Sequence, residues 1–200
     1  MPTGVHIRDA RQQLFDAAER VLLRDGAHAL TSRAVTAEAG VAKGVLHRHF
    51  ADFDDFLVEL VRDRIARVDD QAAALRASAG TGSVAGNLTG ALTDLFDSVA
   101  VAIVSLVIFR DELRTRLRRT RPTQGIPVLT EAAAMIASYL RDERDMGRIA
   151  ADADVEALAL SLIGAGHLLF AGQEGAPPEM EAIDKVVTTV IADVVQRRLL

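Results

Sequence analysis

Between Thr31 and Phe50 the chain reads TSRAVTAEAGVAKGVLHRHF, and Gly40 stands where that stretch has to turn. Glycine enters the left-handed backbone that ends many helices without a Cβ penalty. Upstream, Thr31 offers the side-chain oxygen that caps a helix start. The spacing predicts a helix of about two turns over Ser32–Ala39. It predicts a second helix over Lys43–His49, with Val41 filling the angle between them. Two short helices around a Gly-containing turn make a helix-turn-helix, whose second helix can enter the major groove of DNA.

The remainder of the chain reads as helix throughout. Ile7, Ala10, Leu14, Ala17, Ala18, Val21 and Leu22 recur at helical spacing and predict a first helix that supports the turn motif and ends at Gly26. Arg8 and Arg11 near its start are candidates to reach a phosphate or to form a solvated face. Asp52 is placed to cap a long helix in which Phe56, Leu57, Leu60, Val61, Ile65, Val68, Ala72 and Leu75 keep a 3.6-residue period to about Ala79. Gly80-Thr81-Gly82 breaks it. Further helices are predicted over 84–101 and 102–119, then from near Pro127 to near Gly147. The last two start at Asp152 or Asp154 and at about Glu179. The expected architecture is all-α, with about nine helices. A three-helix head (residues 1–50) is joined by the long helix to a helical bundle (residues 51–200).

The turn motif also resembles the DNA-binding domain of the TetR (tetracycline repressor) family of transcriptional regulators. The likeness rests on Thr31, Val35, Ala39, Gly40, Val41, Lys43, Gly44, Leu46, His49 and Phe50 and covers roughly Ile7 to Leu60. The sequence departs from the family pattern at Thr36, Ala42, His47 and Phe53. There the family usually has a small residue, a hydroxyl cap, a Tyr and a Lys. The resemblance implies a ligand-responsive, DNA-binding regulator, by default a repressor. It would release a pseudo-palindromic operator on binding a small molecule. The rival reading is a helical ligand-binding or protein-interaction dimer whose altered head no longer binds DNA.

Composition narrows the setting. There is no cysteine, so disulfides and thiolate metal sites are excluded and a cytoplasmic location is expected. No signal peptide is recognised. The apolar run Val99–Phe109 is too short to span a bilayer core of ~30 Å. Residues 1–50 hold seven Lys/Arg and five Asp/Glu, a balance of +2, and the other 150 hold sixteen and twenty-three, or −7. A mildly basic head on an acidic body suits a protein that meets phosphate at one end.

For base and phosphate contact the candidates are Lys43, Gly44, Val45, His47, Arg48 and His49 on the second helix of the motif. Thr31, Ser32 and Arg33 at the start of the preceding helix join them. His49 is equally suited to pack inward beside Phe50. The last two helices carry apolar residues on two faces, and a helix with two apolar faces needs two partners. The resemblance implies homodimerisation through them, against the plainer possibility of a buried monomeric core. It also implies a ligand cavity, for which the central helices offer Phe96, Ile103, Leu106, Phe109, Met135, Tyr139, His167 and Phe170. With seven Phe, one Tyr and no Trp in the chain, an aromatic cage for a cation is disfavoured. An apolar or weakly polar effector is expected instead. The arginines between Arg110 and Arg121 suit either an acidic ligand or a solvated helix end, where cations complement the dipole. No catalytic constellation, metal-ligand spacing or cofactor motif is present. His47 and His49, two apart on a helix, point to different sides and are poor metal partners.

Overall fold

The computed structural model describes residues 6–96, 98–120, 125–172 and 177–197. Arg121, at the end of the arginine run, lies outside them, as does the side chain of Arg8. Ten α-helices are present among the described residues, and no strand. They are α1 (His6–Asp25), α2 (Ser32–Glu38), α3 (Gly44–His49), α4 (Phe53–Ala77) and α5 (Val84–Leu95). Then come α6 (Ser98–Phe109), α7 (Asp111–Thr120), α8 (Leu129–Asp145), α9 (Val155–Ala171) and α10 (Met180–Arg197). No single helix among them is long and apolar enough to cross a membrane.

Two compact units emerge. The first takes Met1–Asp63 and Ala102–Thr123, and the second takes Arg64–Val101 and Gln124–Leu200. Helix α4 begins in the first and ends in the second. In the first unit, Leu14, Ala17, Ala18 and Val21 of α1 are fully buried, as are Leu30, Val35 and Leu46 of the turn motif. Four phenylalanines fill the space behind α3. Phe50 and Phe56 meet edge to face at 5.1 Å, Phe15 lies within 6 Å of both, and Phe53 stacks on Phe56 at 5.6 Å. Such tilted and offset pairs favour the ring quadrupoles as well as burying area.

In the second unit α9 packs on α8 and α10, and α10 packs on α5. One buried carboxylate, Glu143, organises the polar interior of this unit. Its Oε1 accepts the Gly80 N–H at 3.1 Å and its Oε2 lies 3.2 Å from Nε of Arg148. The same arginine donates to the Gly82 carbonyl at 2.6 Å. Tyr139 donates its hydroxyl toward Glu143 and accepts from Nδ2 of Asn87 at 3.0 Å. Burial and the adjacent carboxylate hold the Tyr139 phenol well above its ordinary range. A buried charge is tolerable only when so surrounded.

Local capping follows the sequence closely at several starts. Asp52 Oδ1 accepts the Asp55 N–H at 2.7 Å to open α4, Ser83 caps α5 and Asp154 caps α9. The stretch 84–119 departs from expectation, because it forms three helices rather than two. Helix α5 stops at Leu95, whose carbonyl accepts Nη2 of Arg64 at 3.0 Å. Helix α6 stops before Arg110, whose guanidinium reaches the Leu30 carbonyl at 2.8 Å. Both breaks are held by arginines bonded to residues distant in sequence. The local pattern, apolar all round in α6, has no phase from which to place them.

Candidate nucleic-acid interface

The turn motif is built from local hydrogen bonds. Thr31 Oγ1 accepts the Ala34 N–H at 3.1 Å and caps α2. At its other end the Gly40 N–H bonds the Ala37 carbonyl and the Val41 N–H bonds the Thr36 carbonyl, with Gly40 at φ 66°. This is the reciprocal pair of a Schellman turn, which satisfies two of the helix's end carbonyls and needs the left-handed residue. Thr36 is buried, but its hydroxyl donates within α2 to the Ser32 and Arg33 carbonyls at 2.9 and 3.3 Å. The extra polar group at that packing position is therefore satisfied.

Only one side of α3 faces the core. Leu46 is fully buried and Phe50 follows it inward. Lys43, Gly44, His47 and Arg48 are exposed, as are Thr31 and Arg33 at the start of α2. Val45 and Ser32 are half-buried. A Cβ placed on Gly44 would meet nothing within 4 Å, so the backbone there is open to a close approach. His49 is half-buried, its ring 6.5 Å from Phe50 and tilted edge-on. No side chain caps α3, consistent with Ala42 preceding it.

The cations of α1 are used differently from those of α3. Arg20 and Arg24 both pair with Glu38 at 2.7 and 2.8 Å and tie α1 to α2. The two guanidinium groups, that of Arg20 first, hold the Glu38 carboxyl below its usual range. Arg11 lies 3.2 Å from Glu59 and 4.6 Å above the Phe50 ring, so it braces the back of the motif. Arg33, Lys43 and Arg48 have no ionic partner among the described residues. The surface thus sorts its positive charge, internally compensated behind and uncompensated in front.

Residues 14–60 match the family of bacterial regulatory proteins described as tetR family. Over these residues the chain carries the TetR-family helix-turn-helix. The whole chain is similar in fold to several solved structures. A TetR-family member from Streptomyces coelicolor is 25% identical, with 92% of this chain and 98% of that one covered at a TM-score of 0.62. The fatty acid degradation regulator FadR from Bacillus halodurans is 17% identical over 96% and 97%, at 0.70. FadR from Bacillus subtilis, in complex with stearoyl-CoA, is 16% identical over 90% and 97%, at 0.66. No curated protein matches the chain significantly.

Two of the arginines read as an acidic-ligand site or a solvated helix end instead tie into the turn motif and the start of α4. Arg110 bonds Leu30, one residue before the Thr31 cap, and lies 5.9 Å from the Phe53 ring. Arg116 pairs with Asp52 at 3.0 Å and with Asp54 at 3.5 Å. Their partners lie 80 and 64 residues away, so no local signal marks them.

The residues expected to line a ligand cavity divide between the units. Ile103 and Leu106 are buried and Phe109 is exposed, all in the first unit. Phe96, Met135, Tyr139, His167 and Phe170 belong to the second. There the Phe96 ring lies 6.0 Å from His167 and 5.6 Å from Phe170. Met135 is buried, and Tyr139 is committed to the Glu143 network. His167 is half-buried, and burial pushes its imidazole below the ordinary value. Its Nδ1 has no hydrogen-bond partner among the described residues. An imidazole with an unpartnered Nδ1 beside the Phe96 ring offers one polar contact in an apolar setting. A separate groove of about 470 Å³, lined by Gly82, Arg148, Thr188 and Ile191 among others, contains none of the expected set.

Proposed function

We propose that the protein is a homodimeric, ligand-responsive transcriptional repressor. Residues 1–50 of each chain bind one half of a pseudo-palindromic operator. Residues 51–200 bind an apolar or weakly polar small molecule and dimerise. The observation that carries this reading is the outer face of the turn motif, where Arg33, Lys43, His47 and Arg48 are exposed around an open Gly44. Those groups are donors of the type that reads base edges and phosphates.

Dimerisation is supported by α9. Leu160 and Leu168 are 66% and 74% exposed, and Gly164 between them has open space beside it. Paired heads suit half-sites spaced by whole turns of DNA. The Phe96–His167–Phe170 cluster supports an effector that is mostly apolar. The stearoyl-CoA held by the Bacillus subtilis neighbour has a long apolar chain of that character. Release requires the effector to favour the DNA-incompetent state, since equal affinity for both states shifts nothing. Helix α4, which enters both units, is the proposed carrier of that shift.

The test is fluorescence anisotropy of the full chain with DNA flanking its own gene, across a salt series and beside unrelated DNA. Selective binding that weakens steeply with salt supports the reading. Failure there and in a random-sequence selection moves the assignment to a helical dimer that does not bind DNA.

A further inference from the structure

We infer that α7 is an accessory phosphate-binding element, which contacts the DNA backbone beside the helix-turn-helix through Arg119, with Arg118 adding charge at the same helix end. The inference rests on the DNA-binding reading above and extends its surface to a part of the chain about 60 residues beyond the motif.

Charge is the first argument. Residues 1–63 hold eight Lys/Arg against ten Asp/Glu, a balance of −2. Taken alone, that stretch is a poor partner for a polyanion. Residues 102–123 complete the same compact unit and hold six Lys/Arg against two Asp/Glu, a balance of +4. The unit reaches +2 only by including them. The second unit carries nine against sixteen, or −7. The segment that makes the DNA-binding unit cationic is therefore α7 and its flanks.

Placement is the second argument. Arg116 holds α7 against the start of α4 through Asp52 and Asp54. Asp52 follows the end of α3 by three residues. The Arg116 contact therefore brings one flank of α7 to the C-terminal side of the proposed recognition helix. Arg119, three residues on, shares that flank at helical spacing. Leu113 and Leu117 are buried and fix which side of α7 faces inward.

The third argument is which arginines are left over. Arg114 pairs with Asp111, and Arg116 with Asp52. Arg118 and Arg119 are exposed and have no partner among the described residues. The position between Asp52 and Asp54 is Phe53, which stacks on Phe56 and cannot neutralise a phosphate. Cations from α7 supply, at that end of the motif, the charge that Phe53 lacks. Phosphate contacts of this kind position a protein on DNA and carry no sequence information.

The experiment measures the full chain on a long random-sequence duplex by anisotropy across a salt series. It compares wild type with Arg118→Gln/Arg119→Gln, the charge-retaining Arg118→Lys/Arg119→Lys, and Lys43→Ala. The expected result is uniform weakening in the Gln pair. Its slope of log affinity against log salt should fall by about 0.9 for each phosphate that is no longer neutralised. The Lys pair should retain the wild-type slope. A normal slope in the Gln pair together with a reduced slope in Lys43→Ala overturns the accessory contact and leaves the recognition helix standing. Normal slopes in both overturn the DNA-binding surface itself.

Discussion

Gly166 of α9 lies so close to Phe96 that a Cβ on it would sit 2.8 Å from the ring's Cε2. That is well inside van der Waals contact, and Leu92 closes the other side at 3.6 Å. The close approach of α9 to the end of α5 depends on the missing side chain. Gly166→Ala should therefore destabilise the chain by about 1–3 kcal/mol, as overpacked cores do. Helix propensity alone would favour alanine by up to about 1 kcal/mol. A thermal melt distinguishes them by sign. Adding Phe96→Leu should recover part of the loss, and no recovery would mean that the ring is not what the new methyl strikes.

Lys43→Ala should weaken DNA binding without changing the dimer or the melting temperature. Lys43 is exposed, caps nothing and pairs with nothing among the described residues. Its loss removes charge and no packing. Removing one phosphate contact should lower the salt slope by about 0.9. A base contact would instead cost about 1–3 kcal/mol at one operator position. Titrations on operator and on unrelated DNA separate the two, and unchanged binding on both would remove Lys43 from the interface.

His167 should make stability pH-dependent just below neutrality. Its folded pKa is depressed by burial, while the unfolded chain titrates at about 6.5. Below that value the unfolded state takes up a proton that the folded state refuses. Stability therefore falls as pH drops through the ordinary histidine range and levels off at the folded pKa. His167→Gln should flatten this part of the profile, because the other four histidines are common to both proteins. Parallel melting curves for the two would show that the imidazole titrates normally.

Tyr139→Phe should cost about 1–3 kcal/mol, the range for leaving buried polar groups short of a partner. The ring stays buried and only the hydroxyl between Asn87 and Glu143 is removed. For a chain of this length that corresponds to a fall in melting temperature of roughly 2–4 °C per kcal/mol. A melt within error of wild type would mean that water replaces the hydroxyl.

The helix-turn-helix was legible because its signals are local. Thr31 caps three residues ahead, Gly40 turns the chain, and the Schellman bonds close within six residues. Phase along α3 similarly separates Leu46 from His47 and Arg48. Two parts of the chain were illegible for a common reason. The breaks at Phe96 and Arg110 are held by Arg64 and Leu30, and the brace behind α3 by Arg11 and Glu59. All three bonds join residues more than 30 apart, which no window of periodicity spans. The candidate cavity residues lay on consecutive apolar helices, and sequence order does not say to which unit each helix contributes. Thus Phe109 ends exposed and Phe96 buried although both close apolar stretches.

The outward face of α9 carries a consequence for the cell. If α9 is the dimer face proposed above, a chain with one head must find its copy through Leu160, Gly164 and Leu168 before it can grip both halves of an operator. Where copies are scarce, the dimer population, and with it operator occupancy, rises as the square of their number. Synthesis rate then becomes an input beside the effector. If the chain represses, as proposed, and the operator flanks its own gene, each round of synthesis tightens the brake on the next, and the copy number holds near the steep part of its own response.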